Sequence, residues 1–574
     1  MREPAVRTTS GWTRTAYGEM FAWWFAPESM RSRATVVMCP AVGSDEGSES
    51  RKAYRHLAEA LTDRGIASLR IDYPGTGDSV GPWSGPDRVD AWRSGIRSAH
   101  RVAQSTGTSR VFLVGTRLGA ILAAEAALEL PSAGLVLWDP CPTGRMFLRQ
   151  QMLLAAAYGA NQPEDGSVAG LAYTYSEDVT SAIRELALST VVDASRQPVL
   201  LASPRTKSMG QTIDAVESRP SSRFLEIPDE SADMAASLLS PLNETQIGFV
   251  ADWILDRCEG LEMDIQPPHV VGELSGSVII PSGSATHHDV TERTHLLGPH
   301  RLFGVIAEPE DCLSPALTAV FLSAGTLEHC GPGRLWTDLS RSWAALGVRC
   351  VRFDISGVGD SEARPGQQRG VARPPEAIDD MIDVASALGA PDGRNLVFVG
   401  LSSGAYHALE GGLHLRPEAI IVINGNAVAD QQEGEGGRGR DPRRLADRSM
   451  PALLRRLATH HNRTARRIWR VLSAVVPGAT PRSVINGIAG RGTKVLCLCC
   501  QAEMDKWYDS VWSRARRTRH RPGTLNMELL PGADHSLYTT EVRGAAIEVM
   551  NAFLLGEVLP ALDRGAQDRV KGRC

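Results

Sequence analysis

The pentapeptide Gly400-Leu401-Ser402-Ser403-Gly404 places a serine where its hydroxyl can serve as a nucleophile. The apolar run 395–399 leads into it and the helix-like stretch 405–412 follows. A strand that turns sharply into a helix holds one side chain exposed in a strained conformation, and glycines on both sides let the neighbouring backbone pass. A serine so held attacks a carbonyl carbon once a neighbouring base takes its proton, so the chemistry expected of Ser402 is acyl transfer through an acyl-serine. The same pattern occurs earlier, where 110–114 leads into Gly115-Thr116-Arg117-Leu118-Gly119. A guanidinium stays protonated at any working pH and cannot attack, so this copy keeps the turn and lacks the nucleophile.

The elements that must position both turns are themselves duplicated. Residues 54–65 align with 336–347, and LRIDYPGTGDS at 69–79 matches VRFDISGVGDS at 351–361, at a constant offset of 282 that changes by three at the two turns. Each copy reads as apolar strand, amphipathic helix ending in glycine, apolar strand, Gly-rich turn, helix, apolar strand, sharp turn. That alternation predicts an α/β fold, with a mostly parallel sheet and helices on both faces in each half. Pro267-Pro268 and GELSGSVIIPSGS at 272–284 mark a joint, which gives expected domains at 1–265 and 266–574. A chain of 574 residues is in any case too long for one core.

Composition narrows the partners. With 43% hydrophobic and 22% charged residues and a net charge of -5, the chain has no overall basic field for nucleic acid. The first twenty residues hold no apolar leader and no segment approaches 18 uninterrupted apolar residues, so the expectation is a cytoplasmic protein without a membrane partner. Of ten cysteines, Cys39, Cys350, Cys497, Cys499 and Cys500 lie in apolar runs and read as buried thiols. Cys497-Leu498-Cys499-Cys500 lacks the second half of a metal-binding pair, so no metal is expected.

With its turn at 400–404 and RFDISGVGDS upstream, the chain resembles two α/β-hydrolase domains in tandem, the second with the fuller set of motifs. The resemblance implies the chain order nucleophile, acid, histidine, with the acid on a loop after a late strand and the histidine on a loop after the last. The strand-like run 494–500 is followed by Gln501-Ala502-Glu503-Met504-Asp505, which puts Asp505 at the acid's place and leaves Glu503 as the alternative. The run 527–530 is followed by Pro531-Gly532-Ala533-Asp534-His535-Ser536, similar to the family's Gly-x-x-His loop, so His535 is the implied base. An oxyanion hole is implied from the N–H of Ser403 and one N–H of the loop after the first apolar strand, at Gly325, Thr326 or Leu327. That loop lacks the family's His-Gly opening.

The first copy has no carboxylate directly behind its strand at 198–202 and no histidine in 227–232, so it reads as a pseudoenzyme domain. Arg117, beside the N–H groups of a helix start, is a candidate for holding a carboxylate or phosphate, against a structural role. His329 is a candidate substrate contact, against a loop-stabilising role, and His407 reads as a packing residue.

Family members commonly carry a cap. Here the second-domain cap would span 427–492 and is rich in arginine, from Arg438 to Arg470, with a further cluster from Arg514 to Arg521. Such a face suits either a solvated helix or an anionic partner, for example a phosphopantetheine arm, coenzyme A or an acidic acyl carrier protein. The stretch 431–442 reads as a hinge that gates the cleft. The first-domain insert, 141–189, carries apolar segments expected to pack on the second domain or to line a pocket. The expected activity is hydrolysis of an acyl ester or thioester on a small-molecule or carrier-bound substrate, with no cofactor. The alternatives are acyl transfer or cyclisation from the same acyl-serine, and a non-catalytic scaffold. Oligomeric state is not legible, although a duplicated unit leads one to expect an internal pseudo-dimer.

Overall fold

A computed structural model of the chain describes residues 6–228, 244–258, 260, 262–284, 286–311, 316–425, 481–509 and 524–561. The cap expected at 427–492, its hinge, the arginine clusters and most of 227–232 lie largely or wholly outside these residues.

The first half contributes β1 (Val6–Thr15), β2 (Gly18–Pro27), β3 (Arg31–Ser32), β4 (Thr35–Cys39), β5 (Ala67–Ile71), β6 (Val111–Thr116), β7 (Gly134–Trp138), β8 (Val168–Ala169), β9 (Thr174–Tyr175), β10 (Val199–Ser203), β11 (Arg223–Glu226) and β12 (Met263–Asp264). Eight of them form one sheet in the order β1-β2-β5-β4-β6-β7-β10-β11, parallel from β5 onward. The second half contributes β13 (Ser277–Ile280), β14 (Val290–Leu297), β15 (Leu302–Pro309), β16 (Thr318–Leu322), β17 (Arg349–Phe353), β18 (Leu396–Leu401), β19 (Ala419–Ile423), β20 (Lys494–Cys499) and β21 (Leu525–Leu529). Their order is β13-β14-β15-β17-β16-β18-β19-β20-β21. Leaving out β13, the two sheets correspond strand for strand. Both are tandem copies of the architecture expected from the sequence.

The central strands are buried along their whole length, as in TVVMC of β4 and LVFVGL of β18, because helices cover both faces. The described cysteines, Cys39, Cys350, Cys497, Cys499 and Cys500 among them, are all buried free thiols. The helix that runs from Thr540 to Ala561 is long and apolar enough to cross a membrane. In this fold it packs Val542, Ala546, Met550 and Phe553 into the second core.

The connection between the halves follows the first sheet. β12 pairs with β3, and Ser275 bridges to Trp12 before β13 opens the second sheet. The halves also share a core layer, in which Trp23 meets Phe303 at 4.4 Å between ring centroids and Val278 and Val305 join first-half residues.

The Gly-rich turns of the repeated motif meet here. In each, an aspartate folds the turn: Asp72 accepts from Asp78 N and Asp354 from Asp360 N, while Ser79 and Ser361 bond the backbone of Phe21 and Phe303. Equivalent residues then exchange across the halves: Arg70 pairs with Asp360, and Arg352, the counterpart of Arg70, pairs with Asp78, the counterpart of Asp360. This i-to-j and j-to-i exchange is the pattern of an isologous contact.

Around Arg352 the cluster includes Glu292, Thr337, Arg341 and His329. Burial alone would lower the pKa of His329, but Asp78 and Asp354, on opposite ring nitrogens, hold it well above the ordinary histidine value. The imidazolium then donates from both nitrogens. Removing one partner from such a cluster leaves a buried charge unpaired, at a cost of about 3–5 kcal/mol. Arg352→Met is therefore expected to lower unfolding stability by roughly that amount, measured by denaturant titration. A loss under about 1 kcal/mol would show that the cluster carries no net stability.

Candidate active site

Two turns, one at the end of β18 and one at the end of β6, hold their central residue in the left-handed region. Ser402 has φ 55 and ψ -112, and Arg117 has φ 53 and ψ -124. Only glycine fits beside them. A Cβ on Gly400 would collide with the Gly404 carbonyl oxygen, and one on Gly404 would lie 2.6 Å from Leu322 O. The neighbouring strand anchors each turn, through Ser402 N to Ile423 O at 3.0 Å and Arg117 N to Trp138 O at 3.3 Å.

The fold brings Ser402 and His535 together, with Nε2 of His535 2.9 Å from Ser402 Oγ. The acid expectation needs correction. Residues 501–509 form a helix and not a loop, and residues two apart on a helix do not share a face. Glu503 turns inward, buried, with Oε1 3.9 Å from His535 Nδ1. Asp505 turns outward, exposed, and accepts from Gln501 Nε2 at 2.7 Å. The carboxylate at the histidine is thus the alternative, Glu503.

Of the oxyanion-loop candidates, Gly325 donates its N–H to Ser403 Oγ at 2.6 Å and Leu327 donates to Ala324 O within a turn. Thr326 N–H bonds no described residue, and its side chain accepts from Lys52 Nζ at 3.1 Å. Of the two roles open to His329, the surroundings match the loop-stabilising one. His329 is buried with both ring nitrogens on carboxylates, Asp354 of its own half and Asp78 of the other, so both nitrogens are already engaged. Arg117 is likewise engaged, donating to Asp139 Oδ2 at 3.1 Å and to Gln150 Oε1 at 2.7 Å, so a carboxylate of its own domain already meets its charge.

Sequence reasoning missed Asn424. It follows β19 with φ 52, is fully buried, and joins three parts of the site. Its Nδ2 donates to the carbonyls of Asp534 and His535 at 3.3 and 2.8 Å, and its Oδ1 accepts from Cys500 N at 2.7 Å. The available signal was an asparagine before glycine at the end of an apolar run, at the place where the first copy has Asp139. Asn424→Ala is expected to lower kcat/KM about 10- to 100-fold, since small displacements of a catalytic group have effects of that order. Retained activity in a folded variant would remove Asn424 from the site.

Two groups of potential metal ligands occur among the described residues, Asp78-His329-Cys330 and His329-Asp354-Asp360. In both the histidine already bonds carboxylates, and Arg352 and Arg70 supply the opposing charge. Such a donor set is poorly suited to a cation.

Comparison with known proteins agrees with the duplication. A model of an alpha/beta hydrolase family matches residues 319–546, and one described as serine aminopeptidase S33 matches residues 31–162. A search for curated relatives finds no match. Among similar solved structures, the Est1E protein of Butyrivibrio proteoclasticus with ferulic acid is 16% identical, with 43% of this chain covering 99% of that one at a TM-score of 0.34. An esterase of Pyrococcus furiosus is 16% identical over 44% of this chain and 92% of its own, TM-score 0.31. A lid-free serine hydrolase of Xanthomonas campestris is 16% identical over 44% and 97%, TM-score 0.30.

Proposed function

We propose, from the premise that the chain belongs to the α/β-hydrolase superfamily with one such domain in each half, that residues 266–574 form a serine hydrolase that cleaves an acyl ester or thioester. The observation that carries this reading is the 2.9 Å approach of His535 Nε2 to Ser402 Oγ at the strained turn. A strained residue is retained where the surrounding structure over-determines it, and a nucleophile is a sufficient reason.

In this reading Ser402 Oγ attacks the acyl carbonyl carbon while His535 Nε2 takes the hydroxyl proton. The carbonyl electrons move to oxygen, and the oxyanion is met by the N–H groups of Ser403 and Thr326, with Gly325 bracing the loop through Ser403 Oγ. Collapse breaks the bond to the alcohol or thiol, which leaves with the proton from His535. Water, deprotonated by the same nitrogen, then attacks the acyl-serine and frees the acid. Glu503 fixes the ring so that Nε2 faces Ser402, and stabilises the imidazolium; its 3.9 Å separation is of the kind that shortens when substrate closes the site. The first domain, residues 1–265, has Arg117 where the nucleophile stands and is read as catalytically inert.

Intact-mass measurement after treatment with a fluorophosphonate tests the reading. One adduct, located on Ser402 by peptide mapping, is expected. No adduct in folded protein would overturn it.

A further inference from the structure

The first domain touches the second at two places that matter for chemistry. The loop that carries His535 is one. Asp534 folds it by accepting from Ser536 N and Tyr538 N, and the carbonyl of Tyr538 then accepts from Ala172 N, in the first-domain insert, at 2.8 Å. Thr174 Oγ1 bonds Thr540 Oγ1 at 3.1 Å, and the ring of Tyr158 sits 4.5 Å from that of Tyr538. Ala172 has φ 66, a strained value for a residue with a Cβ. Its segment is held rigid by Tyr173, stacked at 3.7 Å on Trp83. The loop with the oxyanion donors is the other place. Lys52 Nζ donates to Thr326 Oγ1, Arg51 pairs with Glu328, and Asp78 holds His329.

We propose that the first domain is the positioning partner of the second domain's active site: its insert grips the histidine loop while Lys52 and Arg51 grip the oxyanion loop. This rests on the hydrolase reading above. Loss of a nucleophile leaves such a domain a purpose, because two loops whose placement sets the rate are anchored on it and not on their own domain alone. Lys52 Nζ is itself held by Glu49 at 2.6 Å, so it fixes Thr326 Oγ1 from one end of an ion pair and acts on the oxyanion loop through position. Lys52, Ala172 and Thr174 are positioning residues, since they act through Thr326, Tyr538 and Thr540.

The test uses the full chain and the rate of Ser402 labelling by a fluorophosphonate, which depends on both the base and the oxyanion donors. Lys52→Met combined with Thr174→Val is expected to slow labelling at least about tenfold and to move the acidic limb of its pH profile. Lys52→Arg, which keeps the charge, restores most of the rate when it replaces Lys52→Met. The control is Arg369→Gln, which removes an exposed ion pair to Glu59 between the domains but touches neither loop, and labels at the wild-type rate. If the double variant labels as fast as the control, with an unmoved pH profile, the proposal is overturned. An unlabelled wild type overturns the hydrolase reading instead.

Discussion

Alanine at Ser402 or at His535 should lower kcat/KM for a p-nitrophenyl acyl ester by at least about 10³-fold, and the double variant should be no slower than either single. The lack of additivity follows from the geometry. Nε2 of His535 has one partner in the reaction, Ser402 Oγ at 2.9 Å, and without either member the other has nothing to activate or to attack. Effects that multiply would mean that the two residues act independently and would sink the triad. A variant of Ser402 with wild-type turnover would send the search for the nucleophile elsewhere.

Glu503→Gln should cost about 10²- to 10⁴-fold in kcat/KM, whereas Asp505→Asn should stay within about twofold, as surface changes do. The ranking comes from the helix at 501–509. Position 503 meets the imidazole, and position 505 meets solvent and Gln501. Gln keeps the shape of Glu503 and removes its charge, so the ring loses both its orientation and the group that stabilises its protonated form. The reverse ranking, measured with the same ester, would return the role to Asp505.

What could be read from the sequence was whatever depends on short-range backbone demands. The turn at Ser402 is written in Gly400 and Gly404, whose neighbours leave no room for a Cβ, and the alternation of strands and helices follows from apolar runs spaced by helix-like stretches, whereas the order of the strands in each sheet does not. The acid depended on whether 501–505 coils or winds, which five residues do not specify, and one turn of helix exchanges Glu503 for Asp505. In the sequence the repeated GDS turn carries the duplication and the family resemblance. Its side chains fold the turn and join the two halves, a use that only the partner half reveals. For His329 a loop-stabilising role was legible and the partner in the other half, Asp78, was not; Asn424 was illegible for the same reason, since His535 lies far along the chain.

The exchanged Arg70–Asp360 and Arg352–Asp78 pairs have a further consequence. Between two identical copies every interface position must suit both sides at once, so a residue type is chosen for its worst use. Joining the copies in one chain lifts that constraint. Glu59 and its counterpart Arg341 bear opposite charges: Glu59 receives Arg369, while Arg341 donates to the carbonyls of Asp78 and Ser79. A symmetric assembly could not place both. The fused chain can specialise each side of its seam separately, and the opposite charges at Glu59 and Arg341 are an instance of it.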